Sequence, residues 1–379
     1  MQIATILSYL ESIAPPVYQE GYDNAGLLTG SGSWECSGVL TTLDTTEEVV
    51  LEAISRGCNL IVAHHPIIFS GLKKINGKNY IEKAVIAAIK HDIALYAIHT
   101  NLDNVMAEGV NGRMAAQLGL INGRPLVPKE GILQKLFCFV PTTHLDGVRN
   151  AILAAGAGHI GGYTECSFSA EGTGTFKGGA TSQPFVGRPG IRHEEKEARV
   201  EAILPAYLSR RIVEAMVAAH PYEEVAYDLV NLANTHPGVG SGLIGELPEP
   251  MDETRFLEKI RRAFQVPVIR HTPLTGRLVK KCALCGGSGS FLISKALAAG
   301  ANFYITADVK YHEFFDANGG LVLADIGHFE SEQFTIDLLF EVLREKFLNF
   351  AVLKSDTKTN PVNYYSGVAE SGPAGSTPA

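Results

Sequence analysis

The chain has no excess of positive charge. Its 379 residues carry 32 Lys and Arg against 40 Asp and Glu, for a net charge of −8, so no general basic surface for nucleic acid is expected. No apolar run reaches the length of a membrane span. The opening residues, Met1-Gln-Ile-Ala-Thr-Ile-Leu7, lack the basic start of a secretory signal. The expectation is a cytoplasmic protein with no membrane partner. The cysteines, Cys36, Cys58, Cys138, Cys166, Cys282 and Cys285, are scattered, which suits reduced core thiols. Cys282-Ala-Leu-Cys285 has the spacing of a zinc or redox pair, but no second pair completes four ligands. Gly286-Gly-Ser-Gly-Ser290 lacks a Walker lysine and completes no dinucleotide fingerprint, so it reads as a tight turn first and an anion cradle second. A serine nucleophile elbow is also absent.

What is present is a strand ending in two imidazoles. Asn59-Leu-Ile-Val-Ala-His64-His65-Pro66 reads as a buried parallel strand stopped by proline, and ligands in open α/β sheets bind outside the carboxyl ends of strands. Around it, strands and helices alternate: a helix from Ile6 to Ile13, a strand over 38–44, a helix opened by Thr45-Thr-Glu-Glu48, and a strand over 93–98 that runs into His99-Thr-Asn-Leu-Asp103. From about residue 130 the pattern changes to βαβ repeated twice, with strands over 133–140, 163–169, 198–204 and 224–232. This predicts a ferredoxin-like α+β unit. A Gly-rich stretch over 172–190 lies inside it, and 234–245 reads as its exit linker. The parallel pattern then resumes, and Ile326 to Phe347 reads as one long amphipathic helix.

Ala53-x-x-x-Gly57-x-Asn59-x-x-x-Ala63-His64-His65 also shares its spacing with Ala296-x-x-x-Gly300-x-Asn302-x-x-x-Thr306-Ala307-Asp308. The expected fold is therefore α/β, with a bilobal core of two related parallel-sheet lobes and an inserted domain. The expected boundaries are 1–128 for the first lobe, 129–245 for the insert, 246–365 for the second lobe and 366–379 for a disordered tail.

Five metal-type residues stand at the ends of different strands: His64, His65, Asp103, His328 and Glu332. His328 and Glu332, four apart at a helix start, share one face. His64 and His65 point opposite ways on an extended segment and so suit two neighbouring centres. Three imidazoles and two carboxylates, with Glu332 the simplest bridge, favour two divalent ions of Zn²⁺, Fe²⁺ or Mn²⁺ type. His328 reads equally as a helix cap, and Asp103 as an Asx turn. Asp23, Asp44, His99, Asp308, Lys310 and His312 line the same region of the pattern as supporting or acid–base groups.

These stretches resemble a known family. Tyr22-Asp-Asn-Ala-Gly-Leu27, Val62-Ala-His-His-Pro66, His99-Thr-Asn-Leu-Asp103, Leu284-Cys-Gly-Gly-Ser-Gly289, Tyr304-Ile-Thr-Ala-Asp-Val-Lys-Tyr-His312 and Gly327-His-Phe-Glu-Ser-Glu332 are similar to motifs of the GTP cyclohydrolase 1 type 2 homologues, the Nif-three-like dinuclear metal proteins. Tyr163-Thr-Glu-Cys-Ser-Phe-Ser169 and His220-Pro-Tyr-Glu-Glu224 are similar to the PII/CutA-like insert of the long bacterial branch. The resemblance implies two metal ions on His64, His65, Asp103, His328 and Glu332, with Glu332 bridging, and a homohexamer. Position 22 is Tyr where Trp is common, and position 307 is Ala where Gly is usual.

The functional expectation is a metal-dependent hydrolase acting on a small molecule, a nucleotide or related heterocycle, through metal-activated water. In its cyclohydrolase form, C8 of guanine is attacked and formate released, with His99, Asp308 or His312 carrying protons. The alternatives are a non-catalytic metal-binding regulatory assembly and a phosphoesterase using the same ions.

Overall fold

The computed structural model describes residues 1–365; the expected tail, 366–379, lies outside them. The chain divides into two compact units, Val127–Ser241 and the segments that flank it on either side.

In the flanking unit, helix α1 (Ile3–Ile13) is followed by strands β1 (Gly26–Thr29) and β2 (Val39–Thr42). Helix α2 (Glu47–Ser55) starts at Thr46, whose side chain accepts the Val49 amide, so the cap is the second threonine of the pair and not Thr45. Strand β3 (Leu60–Ala63), α3 (Tyr80–Lys90), β4 (Ala94–Ala97), the single turn α4 (Thr100–Asp103) and α5 (Val110–Gln117) follow. Strands β3 and β4 are buried throughout because both sheet faces are covered. Leu60 and Val62 pack with α1 residues Ile3, Ile6 and Leu10, while Ile61, between them, packs with Val49, Val50 and Val85 of α2 and α3.

Strand β5 (Ile121–Pro128) leads into the second unit. There β6 (Leu133–Pro141), α6 (Leu145–Ala154), β7 (Phe168–Lys177), β8 (Arg192–Pro205), α7 (Ser209–Ala219) and β9 (Tyr227–Asn231) form an antiparallel sheet of order β7-β8-β6-β9. Strand β7 is not 163–169. It begins at Phe168 and runs through Gly172 and Gly174, where a side chain at 174 would occupy the space of the Glu197 carboxylate. The Gly-rich stretch therefore begins as strand rather than loop.

The presumed exit linker is likewise strand from Gly240: β10 (Gly240–Met251) pairs antiparallel with β12 (Val279–Ser288). Between them lie α8 (Glu253–Ala263), which the sequence pattern did not reveal, and β11 (Arg270–His271). Then come α9 (Ile293–Ala298), β13 (Phe303–Ala307) and β14 (Val322–Asp325). The expected single long helix is two, α10 (His328–Glu332) and α11 (Thr335–Lys346), before β15 (Val352–Lys354).

The two core sheets are mixed, not wholly parallel. One has the order β1-β4-β3-β2-β15 and the other β11-β14-β13-β12-β10-β5. Each repeats one pattern of three successive parallel strands with a short antiparallel strand beside the third, β1 on β4 and β11 on β14. No helix of the described residues is long and apolar enough to cross a membrane.

Candidate metal centre

Strand ends from both core sheets supply the polar groups. His64 and His65 leave β3, His99 to Asp103 follow β4, Asp44 follows β2, Asp308 follows β13, and His328 follows β14.

His64 is fully buried. Its Nδ1 donates to the Ile98 carbonyl at 2.8 Å, which leaves Nε2 with a lone pair. That Nε2 lies 3.6 Å from Asp103 Oδ1 and 3.8 Å from Glu332 Oε1. Neither His64 Nε2 nor Asp103 Oδ1 has a hydrogen-bond partner. Buried polar atoms without partners are costly, and a lone pair and two carboxylate oxygens converging on one point suit a cation.

The other oxygen of Glu332 faces a second group. Oε2 is 2.9 Å from His65 Nε2 and 3.1 Å from His328 Nε2, and the two imidazole nitrogens stand 3.3 Å apart. Their far nitrogens are held by carboxylates, His65 Nδ1 by Asp44 at 2.7 Å and His328 Nδ1 by Asp308 at 2.6 Å. Such backing orients a metal-binding imidazole and raises its basicity. Candidate ligands thus fall into three overlapping groups: His64, His65 and His99, and two that share a carboxylate, His64, Asp103 and Glu332, and His65, His328 and Glu332. The two that share Glu332 have the N/O donor chemistry of a divalent transition ion.

Electrostatics fit a nest of carboxylates that needs positive charge. Burial, then the Glu332 carboxylate, pushes Asp103 up to about 7. Burial opposes charge on His65 and His328 too, but the carboxylates of Asp44, Asp308 and Glu332 outweigh it and raise them to about 10 and about 11. Glu332 is held well below the usual carboxylate range: burial works against this, and the hydrogen bonds from His328 and His65, with the nearby His64 ring, prevail. A divalent cation bound there would supply the same compensation through the same nitrogens.

Several supporting groups were invisible to spacing arguments. Asn111, on α5, donates to the Asp103 carbonyl at 2.9 Å and accepts the Gly286 amide at 3.0 Å. Ser331 accepts the Gly287 amide and donates to the His328 carbonyl. Gly287 has φ +60°, and a Cβ there would run into Glu332 Oε1 and come within 3.2 Å of His328 Cε1. The glycine pair at the end of β12 therefore makes room for Glu332.

The residues assigned to proton transfer separate. The His99 ring lies 5.3 and 5.4 Å from those of His64 and His65, with Nδ1 held by Asp23 at 2.7 Å. Burial pushes Asp23 up, but bonds from His99 and Thr100 win and hold it at about 2. Asp308, in a left-handed backbone conformation (φ 54°), stands behind His328. His312 is exposed, with its ring against Tyr311 and Phe315.

A family model, Duf34/NIF3 (NGG1p interacting factor 3), matches residues 1–361. The chain belongs to the DUF34/NIF3 family. Among its relatives, a Halalkalibacterium halodurans protein named GTP cyclohydrolase 1 type 2 homolog is 40% identical over 95% of this chain and 98% of its own length. A Bacillus subtilis protein of the same name is 36% identical, over 95% and 97%. Among solved structures, a Bacillus cereus protein related to NIF3 is similar with a TM-score of 0.86 and 40% identity, covering 96% of this chain and 99% of that one. A Staphylococcus aureus structure is similar with a TM-score of 0.76 and 30% identity, over 96% and 99%. The similarity to these DUF34/NIF3 relatives spans both units.

Proposed function

We propose that this DUF34/NIF3 protein is a two-metal hydrolase acting on a nucleotide or a related heterocycle. The observation that carries this reading is the division of Glu332: one oxygen faces His64 beside Asp103, and the other faces both His65 and His328. Divalent ions held there would polarise a substrate oxygen and make water nucleophilic near neutral pH. Five residues shared between two ions leave coordination positions for water and substrate, as a catalytic site requires.

The chain's own groups do the rest. Asp44 and Asp308 fix the rings of His65 and His328. His99, oriented by Asp23, offers Nε2 to take or give a proton at the substrate. Asp308 is assigned to positioning His328, and His312, exposed beside Tyr311 and Phe315, is kept as a second candidate for proton transfer. On the βαββαβ order of its sheet, the second unit is read as a ferredoxin-like, PII/CutA-like insert. A cytoplasmic homohexamer completes the proposal, by the family resemblance.

The test is turnover of the full chain loaded with Zn²⁺, Mn²⁺ or Fe²⁺, with products identified by mass. Metal-dependent formate release from GTP, abolished in Glu332→Ala, is the expected result. Release of phosphate or a nucleoside monophosphate would instead assign phosphoester hydrolysis. Two bound ions with no turnover of any nucleotide would favour the regulatory reading.

A further inference from the structure

Two aromatic rings stand beside the centre without a covering partner among the described residues. Tyr22 is 64% exposed and Phe69 50% exposed. Their ring centroids are 6.3 Å apart, and Phe69 is a further 6.3 Å from His99 in an edge-on contact. His99 in turn touches His64 and His65, so Phe69 is separated from the candidate ligands by one imidazole, and Tyr22 by Phe69 and that imidazole.

Their chain positions are tied to the centre as well. Phe69 comes four residues after His65, and Tyr22 immediately precedes Asp23, which holds both His99 and the Thr100 amide. The two loops are locked to each other by Asn24 Nδ2, which donates to the Ile68 carbonyl at 2.6 Å. Large apolar rings fixed in this way and left to water are unfavourable unless something covers them. Aromatic faces are the usual means of holding a planar ring by stacking, which is tolerant of the ring's hydrogen-bonding pattern.

We propose that Tyr22 and Phe69 form a stacking platform that holds the planar heterocycle of the substrate beside the metal centre. This deepens the hydrolase reading by naming what the site recognises, and it rests on that reading for the substrate's orientation. The platform selects for a flat aromatic ring system and is indifferent to which nucleobase supplies it. A substrate that carries the sugar phosphate alone leaves both faces wet.

Binding, not turnover, tests it, so the platform and the hydrolase stand or fall separately. Calorimetric titration of the Zn²⁺-loaded full chain with GMP, AMP and ribose 5-phosphate compares probes that differ in the ring. Both nucleotides are expected to bind about tenfold or more tightly than the sugar phosphate. Phe69→Leu, which keeps an apolar side chain but removes the π face, and Tyr22→Ala should each erase most of that preference, with metal content per chain unchanged. Equal affinity for all three probes, no binding of any, or a preference that survives the double variant overturns the proposal. A smaller assembly in either variant also overturns it, since the rings would then belong to a contact between copies of the chain.

Discussion

Gly287→Ala is expected to empty the centre while leaving the protein folded. The left-handed backbone at φ +60° costs an alanine about 1–2 kcal/mol by itself. The larger effect is local. The new methyl would occupy the space of Glu332 Oε1 and press on His328, so the carboxylate shared by the two candidate groups must rotate away. Losses of about 10–100-fold in metal affinity follow from disturbing such supporting positions, and here both ions should weaken together. Gly276→Ala is the control: its φ of +75° imposes the same kind of strain, but no atom lies within 4 Å of the added carbon. Metal analysis after dialysis should find Gly276→Ala like the parent and Gly287→Ala depleted. A Gly287→Ala protein that keeps its ions at parental affinity would contradict the assignment of Glu332.

Glu52→Ala is expected to destabilise the chain by about 2–3 kcal/mol, the scale of losing hydrogen bonds to a charged group. The Glu52 carboxylate, on α2, accepts from Ser355 Oγ at 2.6 Å, the Asp356 amide at 2.8 Å, Thr357 Oγ1 at 2.7 Å and Arg56 at 2.6 Å. It fastens the segment after β15, which then carries Thr359 to Asp44 and Asn360 to Glu330.

Burial raises the Glu52 pKa, but these bonds outweigh it and hold it at about 2, below the ordinary 4.5. A carboxylate depressed in this way contributes its full stability above pH 4.5 and loses it as pH falls toward 2. Urea midpoints of parent and variant should therefore differ at pH 7 and approach each other below about pH 4.5. Equal midpoints at pH 7 would show that the segment is held by other contacts.

Much of this was legible in the sequence where burial and chemistry leave the same mark. Strands β3 and β4 are apolar on both faces and end abruptly in His64-His65 and His99-Thr100, so their positions and their polar ends could be read together. Other elements were hidden for physical reasons. The glycines of β7 and β10 suggest loops, yet Gly174 and Gly242 mark crowded strand positions beside Glu197 and Leu284. Helix α10 is a single turn joined closely to α11, so periodicity merges them. Asn111 could not be singled out because its role depends on α5 lying against the end of β12, a contact between residues far apart in the chain. Gly287 was visible only as a turn residue, since what it makes room for is the side chain of Glu332.

The central claim is that one carboxylate, Glu332, joins two ions. Electron paramagnetic resonance of the chain saturated with Mn²⁺ tests it most directly, because ions sharing a carboxylate couple magnetically. The account predicts two Mn²⁺ per chain and an exchange-coupled signal that disappears in Glu332→Gln. Saturation at a single ion, or two ions giving only the spectrum of isolated Mn²⁺, would contradict it.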